Sequence, residues 1–415
     1  MALTKQLQAV LDKRQEILKL RRLVVNPPDA IDFSSNDFLG LARSKVFRDR
    51  FLDELQTFNH PPLGSTGSRC LDGNSQYALD LEARIAKFHH AEAALLFNSG
   101  FDANSGLFST IPQPGDIIFY DELIHASVHE GMKLSRAGMK IPFKHNCVTD
   151  LESKIIKIWQ EDKTAKKTRN VFVAVETVYS MDGDIPPLQE LVTMLRRYWT
   201  KDENGYIIVD EAHATGVFGK HGRGIVCREK LEDEIFARVH TFGKALASNG
   251  AVVLGTETLK NYLINYARSF IYTTFMGFSS LASIRCAYQM LEEGDSLQAQ
   301  QHVLALVDHF RATIHLPHGQ LLPSNSPIQG IVLDGNDKVR ALAEYLKARK
   351  FNVKPILSPT VPTGSERVRI CLHGDNTFEE VDALVEATHQ YFQSPARALP
   401  ITTAFSSSQL VISKL

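Results

Sequence analysis

Short, continuous apolar runs recur along the chain, and each closes in a cluster of polar residues. The runs AALLFNS (93–99), DIIFYDE (116–122), VFVAVET (171–177), YIIVDEAH (206–213), RVHTFGK (238–244) and AVVLGT (251–256) are rich in β-branched and aromatic residues. Most lack the polar alternation of a strand with one wet face. This pattern suits strands buried on both faces, as in a mainly parallel sheet covered by helices. Helical patterns lie between the runs, so the chain reads as an α/β fold. In open parallel sheets, ligands bind beyond the carboxyl ends of the strands. NSGF (98–101), DELIHAS (121–127), ETVYSMDGD (176–184), DEAH (210–213) and TFGK (241–244) all fall at such ends. Several strands thus deliver polar groups to one edge.

The 415 residues exceed one compact domain and fit two or three core-bearing units. An N-terminal helix and arm is expected over 1–60, a large domain over 61–300, a small α+β domain over 301–395, and a tail over 396–415. The turn cluster NHPPLGSTGSRCLDGNS (59–75) precedes the large unit. Beyond residue 300, QGIVLDG (329–335), VKPILSP (353–359) and RVRICLH (367–373) read as strands. NDKVRALAEYLKARKF (336–351) and TFEEVDALVEATHQYF (377–392) read as helices, and KTAKKTR (163–169) as a solvated loop. Leu3, Leu7, Val10, Leu11 and Leu18 recur near helical spacing, which predicts an amphipathic N-terminal helix.

Charge and cysteine usage exclude several roles. The net charge of −1 gives no basic excess for nucleic acid or a membrane surface. No apolar stretch approaches the roughly 20 residues that span a bilayer. The N-terminus lacks a secretory apolar region, and Asp12 and Glu16 argue against a mitochondrial transit peptide. The five cysteines are scattered and form no CxxC pair, so neither a metal site nor a disulfide framework is expected. They read as reduced core thiols. The chain ends in Ser413, Lys414 and Leu415, a tripeptide read by the peroxisomal import receptor. The expected location is the peroxisome, or the cytoplasm where the signal is not read.

Lys244 stands in the turn TFGKALASNG, between two apolar segments. A lysine held there loses hydration, its ammonium pKa falls, and it becomes a usable amine nucleophile. Such a residue can carry pyridoxal 5′-phosphate (PLP) as a Schiff base. Asp210 follows the apolar YIIV and could cap a helix; with PLP, its carboxylate would keep the pyridine nitrogen protonated. His213, three residues on, presents a second group from the same turn. DEAH also occurs in helicases, but no G-x-x-x-x-G-K-[ST] accompanies it. NSGFDANSG enters a helix; Gly100 and Phe101 could offer N–H groups to a phosphate there, or the segment is an ordinary β–α turn. Thr241 is a further hydroxyl donor. His125 could stack on the pyridine face or be a structural histidine. GSTGS (64–68) and GKHGRG (219–224) lack dinucleotide-site context and read as loops.

The ordered set FSSNDFLGL (33–41), GSTGSR (64–69), LFNSGFDAN (96–104), HASVHEG (125–131), ETVYSMDGD, VDEAHATGVFGKHGRG (209–224), TFGKA (241–245) and SPTVPTGSERVRI (358–370) resembles the α-oxoamine synthases. These are PLP enzymes of fold type I, and the likeness covers roughly residues 1–395. It implies that Lys244 forms the Schiff base, Asp210 pairs with the pyridine nitrogen, His213 meets the ring hydroxyl and His125 stacks on the ring. It implies phosphate contacts from Gly100, Phe101 and Thr241, with Ser180 nearby. Thr273 and Thr274 match residues that reach a neighbouring subunit's phosphate, which implies a homodimer. Asn36 and Arg369 match positions that hold the amino-acid carboxylate. Arg21 and Thr360 match acyl-substrate positions.

The implied chemistry joins an amino acid to an acyl-CoA with loss of CoA and CO₂. Four activities occur in the family, and LDKRQEILKLRR and FSSNDFLGL look most like the biotin-pathway member, which uses alanine and pimeloyl-CoA. A peroxisomal address agrees, because β-oxidation there can supply a dicarboxylyl-CoA. 2-Amino-3-ketobutyrate ligase, or a secondary-metabolite synthase using another thioester, is the alternative. A non-catalytic partner subunit of the family would lack the lysine. The sequence departs from the family at Asn376, where a His is expected; His373 stands closer to Arg369 instead.

Overall fold

The computed structural model describes residues 2–394, apart from 18, 22, 59–60, 163–164 and 202. Its first strand, β1 (Ile31–Asp32), lies in the N-terminal arm. A seven-stranded sheet follows, built from β2 (Ala93–Phe97), β3 (Ile117–Asp121), β4 (Met139–Phe143), β5 (Val171–Glu176), β6 (Gly205–Asp210), β7 (Ala237–Thr241) and β8 (Ala251–Gly255). The spatial order is β2-β8-β7-β6-β5-β3-β4, and only β8 runs against its neighbours. The carboxyl ends of β2 to β7 therefore share one edge. The expected α/β class with a mainly parallel sheet holds.

Side chains along these strands alternate between two cores. Val171, Val173, Val175, Ile207 and Val209 face one, while Phe172, Ala174, Ile208 and Val239 face the other. Burial on both faces is why these segments read as unbroken apolar runs. The edge strand β4 (MKIPF) escaped the sequence reading. Lys140 and Pro142 interrupt its apolar pattern, and an edge strand tolerates both.

Helices α1 (Ala2–Glu16), α2 (Lys45–Thr57), α3 (Gln76–Phe88), α4 (Gly100–Thr110) and α5 (Ala126–Leu134) fill the first part of the chain. The predicted α1 forms but buries none of its residues; Leu3, Leu7, Val10 and Leu11 are exposed, and Leu18 lies outside the described residues. Residues 165–168 make a short helical turn where a loop was expected. Among the described residues, no helix is long and apolar enough to cross a membrane.

The helix Leu297–Thr313 runs straight through residue 300. Beyond it lie β9 (Ile328–Val332), β10 (Phe351–Asn352), β11 (Lys354–Ile356) and β12 (Arg367–Cys371). Strands β11, β12 and β9 form an antiparallel sheet in that order. Helices Asn336–Lys347 and Phe378–Gln393 cover it with Val339, Leu342, Val381 and Leu384. The second helix starts in a capping box of Thr377 and Glu380.

The arm belongs to this C-terminal unit. Strand β1 pairs in parallel with β10, and Phe33 accepts a backbone bond from Cys371 at 2.8 Å. His373 fastens it further, with Nδ1 2.9 Å from the Asp32 carbonyl and Nε2 3.1 Å from Ser35 Oγ. Asn376 donates to the same Asp32 carbonyl at 3.3 Å. Two positions where the sequence departs from the family thus hold the arm in place. The loop after β5 also docks here. Arg367 pairs with Asp182 at 2.6 Å, and Ser324 donates to the Gly183 carbonyl at 2.8 Å. Gly183 has φ +76°, and a Cβ there would stand 2.1 Å from the Ile328 carbonyl oxygen, so only glycine fits.

Candidate active site

Lys244 stands three residues beyond β7 in a closed turn. Phe242 N–H donates to Gly250 at 3.0 Å, and Ser248 N–H to Phe242 at 2.8 Å. The buried Phe242 ring anchors the turn, and Lys244 is left partly exposed at the sheet edge. Loss of hydration pushes its ammonium down to about 8. The carboxylates of Asp210 and Glu176 oppose that fall, and the Arg369 guanidinium adds to it.

Asp210 ends β6, in register with Glu176 at the end of β5. Its Oδ1 accepts from Ala212 N–H at 2.9 Å and its Oδ2 from Asn104 Nδ2 at 2.7 Å. Glu176 is buried; burial first, then the Asp210 charge, pushes its carboxyl well above the usual range. His213 is buried too, and burial, with the charges of Lys244 and Arg369, holds its ring well below the usual imidazole value. Its Nδ1 is buried without a partner among the described residues.

Helix α4 begins at the same edge. The Ser99 hydroxyl caps it by accepting from Asp102 N–H at 3.0 Å. The N–H groups of Gly100 and Phe101 have no acceptor within the helix and carry its positive end. A Cβ on Gly100 would lie 2.4 Å from Thr241 Cγ2, so its absence lets the helix start close on the end of β7. Thr241 is buried, and its hydroxyl reaches the Ala212 carbonyl at 3.4 Å.

His125 caps α5, with Nδ1 accepting from Ser127 N–H at 3.2 Å. Burial lowers its imidazole pKa, against the pull of Asp210. On the far side, Arg369 of β12 donates to Asn36 Oδ1 at 2.9 Å. The Phe38 ring centroid stands 5.9 Å from that of His213. Ser180 sits half-buried in the loop pinned by Arg367. Thr273 and Thr274 flank Asn98 of the same chain: Asn98 Nδ2 donates to Thr273 Oγ1 at 3.2 Å and to the Thr274 carbonyl at 2.6 Å. Arg21 is exposed on the N-terminal segment, and Thr360 is exposed on the loop between β11 and β12. Ser413, Lys414 and Leu415 lie outside the described residues.

The geometry adds residues the sequence did not single out. Asn104 sits one turn after Gly100 on the inner face of α4, and Ser127 lies inside the HAS segment; both are buried. His145, just past β4, is held between Asp121 at 2.8 Å and Asp184 at 2.7 Å. Its signal was hidden because β4 itself was missed. The GSTGS loop packs on residues 273–277, with Ser65 donating to the Phe275 carbonyl at 2.7 Å. The GKHGRG loop leads to Ile225 and Val226, whose N–H groups Glu211 accepts at 2.9 and 2.7 Å. Elsewhere, Cys227 Sγ and His90 Nδ1 approach Glu232 Oε1 at 2.9 and 3.5 Å, beside Arg223 on His90 Nε2 at 3.2 Å.

These residues fit PLP. An amine of lowered pKa, a carboxylate fixed at both oxygens, an unpartnered buried ring nitrogen and a helix start free of a Cβ meet at one edge. Comparisons with known proteins agree. The model of the aminotransferase class I and II family matches residues 28–387. The chain is 50% identical to an 8-amino-7-oxononanoate synthase of Emericella nidulans, over 93% of this chain and 95% of that one. It is 40% identical to the aminoacyl transferase sphA of Aspergillus fumigatus, over 86% of this chain and 80% of that one. The solved 8-amino-7-oxononanoate synthase of Francisella tularensis superposes with a TM-score of 0.67 at 28% identity, covering 88% of this chain and 98% of that one.

Proposed function

We propose that this chain, which belongs to the aminotransferase class I and II family and within it to the α-oxoamine synthases, makes 8-amino-7-oxononanoate for biotin. It is a PLP-dependent acyltransferase. A carbon–carbon bond forms between the α-carbon of L-alanine and the acyl carbon of pimeloyl-CoA. The thioester C–S bond breaks to release CoA, and the alanine carboxyl leaves as CO₂. When bound, PLP supplies the electron sink that makes the α-carbon nucleophilic.

The chain's own residues supply the rest. Lys244 Nζ, held near neutrality, takes and returns the α-proton. Asp210 would be the anion for the pyridine nitrogen, His213 would meet the ring hydroxyl and His125 would cover the ring face. Gly100, Phe101 and Thr241 would hold the phosphate, with Ser180 nearby. Asn36 and Arg369 would orient the amino-acid carboxylate, and Arg21 and Thr360 would serve the acyl substrate. The observation that carries this reading is the Asp210 carboxylate, fixed by Ala212 N–H and Asn104 at the strand edge where the closed Lys244 turn also stands.

The test is CoA release, crossing alanine, glycine and serine with pimeloyl-, acetyl- and succinyl-CoA. Alanine with pimeloyl-CoA is expected to dominate. No turnover of that pair, with strong turnover elsewhere, would overturn the assignment. The 40% identity to an aminoacyl transferase favours one second reading, condensation with a different amino acid or thioester.

The active form is proposed to be a homodimer. Support comes from the unburied apolar face of α1 and from exposed Tyr272 and Thr274 beside Thr273. A fully active monomer, by light scattering at assay concentration, would refute it. The final Ser413-Lys414-Leu415 is proposed to direct the enzyme to peroxisomes, where β-oxidation can supply a dicarboxylyl-CoA. A fluorescent fusion that reaches peroxisomes equally well without those three residues would end that idea.

A further inference from the structure

The hydrogen bonds of Asn104 have a direction that chemistry fixes. Its nitrogen lies 2.7 Å from Asp210 Oδ2 and 3.0 Å from Ser127 Oγ. A carboxylate has no proton to give, so the amide must turn its NH₂ toward Asp210. The second hydrogen of that NH₂ goes to Ser127 Oγ, which accepts it. The Ser127 hydroxyl proton is then free for His125 Nδ1, which stands 2.8 Å away. Ser127 N–H reaches the same Nδ1 at 3.2 Å. With two donors aimed at it, Nδ1 carries no hydrogen. A neutral imidazole in that position holds its proton on Nε2.

We infer that Asn104 and Ser127 are positioning residues, tying the Asp210 carboxylate to His125 and fixing His125 as the neutral Nε2–H form. This rests on reading the site as the PLP site. The relay spans the second turn of α4 and the first turn of α5, so its members hold fixed positions. Every member beyond His125 is buried, which strengthens each bond and penalises any unmade one. Burial also disfavours an imidazolium at His125. The consequence for the reaction is that the ring offers one donor, Nε2–H, and no charge. An uncharged ring stacks on a protonated pyridine without like-charge repulsion, and its single N–H has a defined place from which to meet the reactants.

The test reads the tautomer directly. Histidine ring ¹³C and ¹⁵N shifts are recorded on the purified protein with and without PLP. The His125 signal is assigned by its loss in His125→Phe. Wild type should show Nε2–H at pH 7 in both forms; an Nδ1–H or doubly protonated ring overturns the proposal whatever the substrate proves to be. In Ser127→Ala only the longer Ser127 N–H bond at 3.2 Å still holds Nδ1, so the Nδ1–H form should rise above its wild-type level. Loss of the hydroxyl bond should lower kcat about fivefold to tenfold, with both KM values nearly unchanged. In Asn104→Leu, apparent PLP affinity should fall about tenfold, because Asp210 loses a charge-assisted partner. If both variants fold and leave tautomer, PLP affinity and kcat as in wild type, the relay has no positioning role. Failure of the alanine and pimeloyl-CoA assay alone would leave the tautomer and PLP readouts intact.

Discussion

Arg369 and Asn36 stand 333 positions apart in the chain and meet at 2.9 Å, where the arm crosses β12. Both are proposed to hold the amino-acid carboxylate. A guanidinium that binds a carboxylate by paired bonds cannot be replaced by an ammonium without loss. Arg369→Lys is expected to raise KM for alanine about 10- to 100-fold, from the usual strength of a charged hydrogen bond. KM for the acyl-CoA should barely move. Equal rises for both substrates, in steady-state kinetics with each varied in turn, would show a general distortion instead.

Lys244 should lose its proton far earlier than an ordinary lysine at 10.5, since it is pushed down to about 8. Only the neutral amine can attack an aldehyde. The rate at which PLP-free protein captures PLP should therefore rise with pH to a half-maximum near 8. Stopped-flow absorbance in the Schiff-base band reads this rate. Lys244→Ala should fold, bind PLP weakly and show no such band. A half-maximum at or above 10 would mean that burial does not tune this amine.

Gly100 permits a contact that a methyl group would destroy, because a Cβ there falls 2.4 Å from Thr241 Cγ2. Gly100→Ala is expected to destabilise the protein by about 1–3 kcal/mol, the range for overpacking. PLP affinity should fall along with it. Adding Thr241→Ser removes the offending methyl and should restore much of the stability. Thermal melts of the single and double variants measure this; identical loss in both would place the strain elsewhere.

His145 joins two carboxylates, one at the end of β3 ahead of His125 and one on the loop that carries Ser180. Burial lowers its pKa, but the bonds to Asp121 and Asp184 outweigh that and push it up to about 10, from an ordinary 6.5. The charged ring is thus favoured by the folded state. Its stabilisation is complete below pH 6.5 and drains away as pH rises toward 10. His145→Gln should lose about 2 kcal/mol at neutral pH, since it strands a buried aspartate. It should also flatten the decline of stability above neutrality. Denaturant midpoints across that range supply the check, and parallel slopes in the two proteins would remove His145 as the cause.

The buried strands and the polar turns after them were readable because both follow from one arrangement. A strand covered on two faces has no room for polar residues until it ends, as YIIV before Asp210 shows. Lys244, Asp210, His125 and His213 could be singled out as candidates for that reason. Asn104 could not, because an amide inside an amphipathic helix looks like a surface residue until the facing Asp210 is known. Glu176 was hidden likewise: its neighbour in the sheet, not in the chain, makes it a buried carboxyl. Strand β4 was lost because an edge strand carries no distinctive pattern. The union of arm and C-terminal unit had no signal either, since β1 and β10 contribute two residues each to their pairing.

That union sets an order of assembly during synthesis. All seven strands of the central sheet have left the ribosome once residue 255 is out, and with them Lys244 and Asp210. The arm has been made by then but has nowhere to dock. Its partner strand β10, its backbone partner Cys371 and its fastener His373 come more than 300 residues after it. Contacts so distant in sequence form late. A nascent chain therefore completes the edge that carries Lys244 and Asp210 well before Asn36 and Arg369 can meet, and only a finished chain can bring the two together.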